Sequence, residues 1–484
     1  MKKKNLLVFA LTAALAVSAV CLAACAPEDE PPANPPELED IYLPVEDAGR
    51  TTNVNVHDPS VFQDPKDGKY YVFGSHYAVA SSEDLIVWKQ EVRDNEHTKL
   101  FGSKGVTAAM PKTLALAAGQ TDAWAPDVEY YNGKYYMYIS FTTGFGADTS
   151  VISRVEADSV LGPYSNETVI VESVNVKTSG KPNCIDPELF YDKDGGLWMV
   201  FGSFYGGVYI KELHNSGENW GLPKEEGVNN FGKLLWRNGY KDGVEGPYVF
   251  YNAETDYYYL MVSEGDLFSV YNMRIARSKS PDGPYLDSTG KDVATSEGAG
   301  NKLAGNYSFG RASGQQPYAA LGHNSVIKTS KDEFFVVYHA RRMESASSVT
   351  TGHSLYVSQL FFNEDGWPVM SPNAYVGEEL GKVKAENVTS DFEVLLHSVA
   401  TEVKAAASQD YTFTADGKVL SGTTEAGAWT LSGDYYITIT LDGVTYKGVV
   451  APGWDMYSVK SKQDGVVCIT AVSDTGRALW AIAK

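Results

Sequence analysis

Tyr70-Tyr71-Val72-Phe73-Gly74-Ser75 has four counterparts further along the chain. They are Tyr135-Tyr136-Met137-Tyr138-Ile139-Ser140, Leu197-Trp198-Met199-Val200-Phe201-Gly202-Ser203, Tyr257-Tyr258-Tyr259-Leu260-Met261-Val262-Ser263 and Phe334-Phe335-Val336-Val337-Tyr338-His339. Their starts lie 65, 62, 60 and 77 residues apart. Counting back 12, 11, 11, 12 and 11 residues from those starts reaches Asp58, Trp124, Asp186, Glu245 and His323. Aromatic and β-branched stretches recurring at that period predict a radial array of four-stranded blades. The fold class expected is therefore all-β, a five-bladed β-propeller, in which equivalent positions of every blade meet at the axis. Closing the ring also hides strand edges that would otherwise pair with other chains.

Turn signals sit where hairpins are required. Asp64-Pro65-Lys66-Asp67-Gly68, Asn132-Gly133, Asp192-Lys193-Asp194-Gly195-Gly196 and Asn252-Ala253-Glu254-Thr255-Asp256 each separate a head residue's strand from its aromatic strand. Val160-Leu161-Gly162-Pro163-Tyr164 and Ser280-Pro281-Asp282-Gly283-Pro284-Tyr285 read as turns near outer strands. No long helical period is evident. The repeats occupy residues 50–375 as the expected catalytic domain. Beyond 380 the repeat stops, and alternating runs such as Tyr435-Tyr436-Ile437-Thr438-Ile439-Thr440-Leu441, joined to Tyr446-Lys447-Gly448-Val449-Val450 across Asp442-Gly443, predict a small C-terminal β-barrel or sandwich over 380–484.

The N-terminus reads as an export signal. Lys2-Lys3-Lys4 precede an apolar run at 6–19, and the segment ends Leu22-Ala23-Ala24-Cys25. That ending resembles a bacterial lipobox, implying a lipoprotein signal peptide over 1–24, lipidation of Cys25 and a protein anchored to the outer face of the cell membrane. Residues 25–49, with Pro27, Pro31, Pro32, Pro35 and Pro36, form an acidic, semi-rigid spacer. Beyond the lipidated Cys25 only Cys184 and Cys468 remain, too few for a disulfide framework or a Cys-based metal motif. The formal charge of −21 disfavours nucleic acid, anionic membrane and polyanionic substrates, so a neutral substrate is expected, with the membrane approached only through the lipid. The expected oligomeric state is a monomer.

Three of the five heads are carboxylates, each followed within two residues by Pro and then by an apolar stretch: Asp58 before Pro59, Asp186 before Pro187 and Glu245 before Gly246-Pro247. A single acid before Pro more often caps a turn or holds a structural cation. Three at one register converge on the axis, where repulsion and burial raise the pKa of at least one. Glycoside hydrolysis needs that combination: a protonated acid for the leaving oxygen and an ionised partner for water.

The motifs His57-Asp58-Pro59-Ser60, Trp124-Ala125-Pro126-Asp127, Asn183-Cys184-Ile185-Asp186-Pro187, Gly202-Ser203-Phe204, Glu245-Gly246-Pro247 and Gly322-His323-Asn324-Ser325 together resemble glycoside hydrolase family 43, in particular its two-domain extracellular endo-α-1,5-L-arabinanases. The resemblance implies an inverting enzyme that cuts α-1,5-linked arabinan, with Asp58 as general base, Glu245 as general acid and Asp186 raising the pKa of the acid and orienting it. It implies substrate contacts from His57, Trp124, Asn183, Ser203, Phe204, Tyr205 and Arg341, and a calcium ion near His323. Asp127 falls off the head register and is expected to be a structural hydrogen-bonding acid, with Trp124 as a stacking wall. The same family also contains exo-arabinofuranosidases and β-xylosidases; a non-catalytic glycan-binding lipoprotein is the reading from another class. His76, His214, His339 and His353 carry no expected role.

Overall fold

The structure, a computed structural model, describes residues 54–484 except 147, 238–242, 313–315, 346, 347, 351 and 458–464. The leader, Cys25 and the Pro-rich spacer lie outside the described residues. Five antiparallel sheets follow one another along the chain, each running in sequence order from an inner strand outwards. Blade one is Ser60–Gln63, Tyr70–Phe73, Val79–Ser82 and Trp88–Val92. Blade two is Ala123–Tyr131, Lys134–Thr142, Thr149–Ala157 and Ser165–Val174; blade three is Glu188–Tyr191, Leu197–Phe201, Val208–Leu213 and Lys233–Trp236. Blade four is Val244–Asn252, Tyr257–Glu264, Asn272–Ser278 and Asn301–Ala304; blade five is Tyr318–Lys328, Phe334–Ser345, Ser354–Phe362 and Pro368–Met370. Each of the five aromatic stretches forms the second strand of its blade. It is buried on both faces because blades stack on either side of it, and that is why it is apolar without alternation.

Among the described residues, the first and last blades close the ring without exchanging a strand. Val61, Val72 and Trp88 of blade one pack against Phe335, Val337, Leu355 and Val357 of blade five, each large side chain contributing about 1.5–3 kcal/mol of burial. Polar groups two or three residues after the heads then pin each blade to the next. Asp127 accepts from Ser60 Oγ of blade one (2.6 Å) and from Leu189 N of blade three (2.9 Å). Glu188 accepts from Val249 N (3.2 Å), Tyr248 Oη donates to Val326 O (2.9 Å), and Ser325 Oγ donates to Pro59 O (2.8 Å) while accepting from Val61 N (3.1 Å). The ring of pins passes through all five blades.

Three short helices, His97–Phe101, Gly105–Ala109 and Pro111–Leu116, join blades one and two. At five or six residues each they are too short to leave a helical period in the sequence. The C-terminal unit is a closed eight-stranded barrel from Asp391–Leu396 to Ala478–Ala483, and its interior is filled by Phe392, Phe413, Trp429, Ile437, Ile439, Ile469 and Leu479. Tyr436–Leu441 and Val444–Trp454 form the hairpin expected around Asp442-Gly443. The barrel is packed onto the propeller: Leu395, Tyr457 and Trp480 share a core with Tyr307, Phe309 and Tyr318. Arg311 reaches across to Asp455 (2.8 Å) and to the carbonyls of Ile482 and Ala483. Ala406–Ala407, from a barrel connection, pairs in parallel with Tyr307–Ser308 beside blade five. Among the described residues no helix is long and apolar enough to cross a membrane.

Candidate active site

The five head residues stand where their inner strands enter the funnel, and the backbone bends there to aim them. Asp58, Asp186 and His323 have φ of 55°, 57° and 48°, and at Trp124 and Glu245 the positive φ falls on the next residue, Ala125 (33°) or Gly246 (55°). The strand register slips at Trp124/Asp127, at Glu245/Tyr248 and between Gly322 and Ser325. Such left-handed positions cost conformational energy and persist where the surroundings impose them. Glycine in Gly322-His323 is required by space: a Cβ there would lie 2.4 Å from the Tyr271 ring.

A second ring, formed by the last residue of each aromatic stretch, supports the heads. Ser75 Oγ donates to Asp58 Oδ2 (2.5 Å) and accepts from Ala125 N (2.9 Å). Ser140 Oγ accepts from Asp186 N (3.1 Å), Ser203 Oγ donates to Glu245 Oε2 (2.7 Å), and Ser263 Oγ accepts from His323 N (2.7 Å). His339 Nδ1 accepts from Asp58 N (3.2 Å) and completes the circle. Four of the five strand ends therefore hold the head of the following blade, and Ser75 holds the head of its own blade and Ala125 beside the next head.

The electrostatics separate the three acids. Asp58 lies with Oδ2 3.0 Å from His57 Nδ1 and Oδ1 3.0 Å from His323 Nδ1. Burial opposes its ionisation, but the charge and hydrogen bonds of His323 and His57 outweigh that and hold its carboxyl well below the usual range. Burial drives the Asp186 carboxyl up to about 8, with repulsion from Glu245 and Asp58 adding to it and His323 opposing. Burial likewise raises Glu245, moderated by His323 and by the Ser203 hydrogen bond. Burial lowers the His323 pKa, yet Asp58 and Asp186 overcome it and bring the ring to about 9. Asp186 Oδ2 accepts from Gly246 N (3.1 Å), which ties it to the backbone beside Glu245. One carboxylate is thus held charged and its two neighbours are held towards the protonated form.

The acids open into a cavity of about 400 Å³. His57, Asp58, Trp124, Asn183, Asp186, Ser203, Phe204, Tyr205, Glu245 and His323 all line it. Arg341 stands behind: its Nη2 lies 3.5 Å from His57 Nε2 and its guanidinium covers the Phe268 ring. Phe145, Asp266 and Leu267 line the cavity without any sequence signal, because they stand on loops outside the repeat, and Thr142 lines it from the end of the second strand of blade two. His339 and His76 acquire partners: His339 stacks on His57 at 4.4 Å, and His76 bonds Asp122 (2.6 Å) and meets the Trp124 ring edge-on.

The sequence matches the family described as glycosyl hydrolases family 43 over residues 51–368, and a C-terminal lipocalin-like domain over residues 372–481. The chain belongs to glycoside hydrolase family 43. It is 35% identical over 459 residues to an extracellular endo-α-(1→5)-L-arabinanase of Thermotoga petrophila, covering 88% of this chain and 93% of that one. It is 34% identical over 456 residues to extracellular endo-α-(1→5)-L-arabinanase 2 of Bacillus subtilis, covering 88% and 92%. The crystal structure of the endo-1,5-α-L-arabinanase from Thermotoga petrophila superposes with a TM-score of 0.80 at 34% identity, over 89% of this chain and 98% of that one.

Proposed function

We propose that this family 43 hydrolase is an exported endo-1,5-α-L-arabinanase that cuts arabinan with inversion. The observation that carries the chemistry is the division of charge within one cavity. Asp58, held ionised between His57 and His323, suits the general base that draws a proton from the attacking water. Glu245, raised by burial, suits the general acid that protonates the leaving glycosidic oxygen. Asp186 accepts from Gly246 N and so orients the Glu245 segment, while the like charge that opposes ionisation of Glu245 comes from Asp58. Trp124 offers a ring face to a furanose, while Asn183, Ser203, Phe204 and Tyr205 contribute polar and apolar contacts from the neighbouring blade three. Digestion of linear debranched arabinan tests the reading. Early mixed oligosaccharides, with the new reducing end of inverted configuration by NMR, are expected; arabinose alone from the first minutes would replace endo with exo action. No hydrolysis at all would leave glycan binding.

Calcium is proposed beside His323. A small space of about 20 Å³ lies below the acids, lined by Asp58, Asp186, Glu188, His323 and Asn324, about the room one water occupies. Glu188 Oε1 and the Asn324 side-chain oxygen and nitrogen are buried without a hydrogen-bond partner, and oxygen donors suit calcium. When bound, the ion would add positive charge next to Asp58 and favour its ionised form. Chelation is expected to lower both the melting temperature and the turnover. Export agrees with relatives named extracellular, and we assign the attachment itself to a lipid on Cys25; metabolic labelling with a fatty acid, lost in Cys25→Ala, tests it.

A further inference from the structure

The turn from Gly265 to Tyr271, between the second and third strands of blade four, forms one wall of the cavity mouth. Asp266 and Leu267 line the cavity. Phe268, 46% exposed, stands at the rim with its ring 6.2 Å from that of Phe145, which is 71% exposed and comes from blade two on the other side of the funnel. Phe145 in turn lies 6.3 Å from Trp124, so three rings span the mouth in a row. Two large, partly exposed apolar rings meet edge to face where a sugar chain would enter, and furanose faces are apolar surfaces that such rings bind.

This turn is held from outside the propeller. The connection between the barrel strands Asp391–Leu396 and Gln409–Phe413 lies along blade four. Its Thr401 Oγ1 donates to Glu264 Oε1, the residue immediately before the turn, and its methyl faces Gly265, where a Cβ would come within 2.9 Å of it. Glu264 Oε1 also pairs with the buried Arg274 (2.9 Å), which donates to Val399 O (2.6 Å). At the far end of the turn, Asn306 Nδ2 donates both to Ser269 O (2.8 Å) and to Val403 O (2.9 Å). Lys302 Nζ reaches Ala400 O (3.0 Å). The turn is therefore held at its first end by barrel residues 399–401 and at its far end through Asn306, which itself bonds barrel residue Val403, while its apex carries the exposed ring.

We propose that Thr401 of the barrel is a positioning residue for substrate: by fixing Glu264 and Gly265 it sets Phe268 edge-on against Phe145, and the touching pair forms one jaw of an aromatic clamp on the arabinan chain. This rests on the reading of the cavity as an arabinan site. The barrel then contributes to binding without touching sugar. Because the clamp lies at the mouth and not at the acids, it acts on KM for long chains more than on kcat.

A double-mutant cycle on linear arabinan in the full-length protein tests it. Phe268→Ala is expected to raise KM about five- to ten-fold with kcat within two-fold. Thr401→Val, which keeps the methyl contact and removes the hydroxyl, is expected to raise KM by a similar factor, and Thr401→Ser to restore it. The double variant Thr401→Val/Phe268→Ala is expected to be no worse than Phe268→Ala alone. Parent-like KM in Thr401→Val, or multiplied effects in the double variant, overturns the positioning role. Parent-like KM in Phe268→Ala overturns the clamp, and that surface substitution leaves folding intact. A parent protein that does not turn over arabinan would instead overturn the reading of the cavity itself.

Discussion

Two sets of buried carboxylates stand along the blades' inner strands and do different work. Asp58, Asp186 and Glu245 stand at the heads, over a cavity of about 400 Å³, with imidazoles and hydroxyls as partners. Asp127 and Glu188 stand two or three residues further down, where their oxygens accept backbone and hydroxyl hydrogens from neighbouring blades. The first set has space beside it and a charge arrangement that separates an ionised acid from two held towards the protonated form. Most of the second set's oxygens are already committed to the protein. A shift of two residues along a strand thus decides whether an acid faces substrate or a seam.

Substitutions that remove the charge without changing the shape should separate the two sets. Asp58→Asn is expected to lower kcat on linear arabinan by about 10²–10⁴-fold, the range of general base catalysis, a loss far larger than the modest fall in melting temperature that follows from losing its ion pairs with His57 and His323. Asp127→Asn is expected to do the reverse. One of its two accepted hydrogen bonds meets an amide N–H, so unfolding in urea should show a loss of about 1–3 kcal/mol, with KM and kcat per folded molecule near those of the parent. A large kcat loss in folded Asp127→Asn would erase the distinction.

Acidity sharpens the same contrast. Burial pushes Asp127 up to about 6 and Glu129, on the same strand face, up to about 8. The folded state therefore keeps protons that the unfolded chain has released by about pH 4–5. The stability these two supply is present below that range and is lost as pH rises through about 6 and then about 8. Asp58 has the opposite sign: its lowered value stabilises the fold above the ordinary carboxylate range and stops doing so as pH falls through the lowered value. Urea midpoints measured from pH 4 to 9 should fall with rising pH in the parent, and Asp127→Asn should flatten the lower part of that slope.

The blades and their heads were legible because a propeller repeats its geometry. The spacing from head to aromatic strand located Asp58, Trp124, Asp186, Glu245 and His323 without any contact information. The same repeat held a signal that the heads alone did not exhaust: Ser75, Ser140, Ser203, Ser263 and His339 end the five aromatic stretches, and each supports a head. His339 has no evident role when taken singly and gains one only when set beside the four serines. Phe145, Asp266 and Phe268 were not legible, since loops leave the repeat and obey no period. The short helices at 97–116 escaped for want of length. Thr401 depends on how the barrel packs against blade four, which only tertiary structure shows.

Turnover of linear arabinan by Glu245→Gln is the most direct test that the heads carry the chemistry. The substitution keeps the size of the side chain and its contact with Ser203 Oγ but cannot donate a carboxylic proton. A loss of about 10² or more in kcat, with parent-like melting, is the predicted result. Parent-like turnover by the folded variant would contradict it.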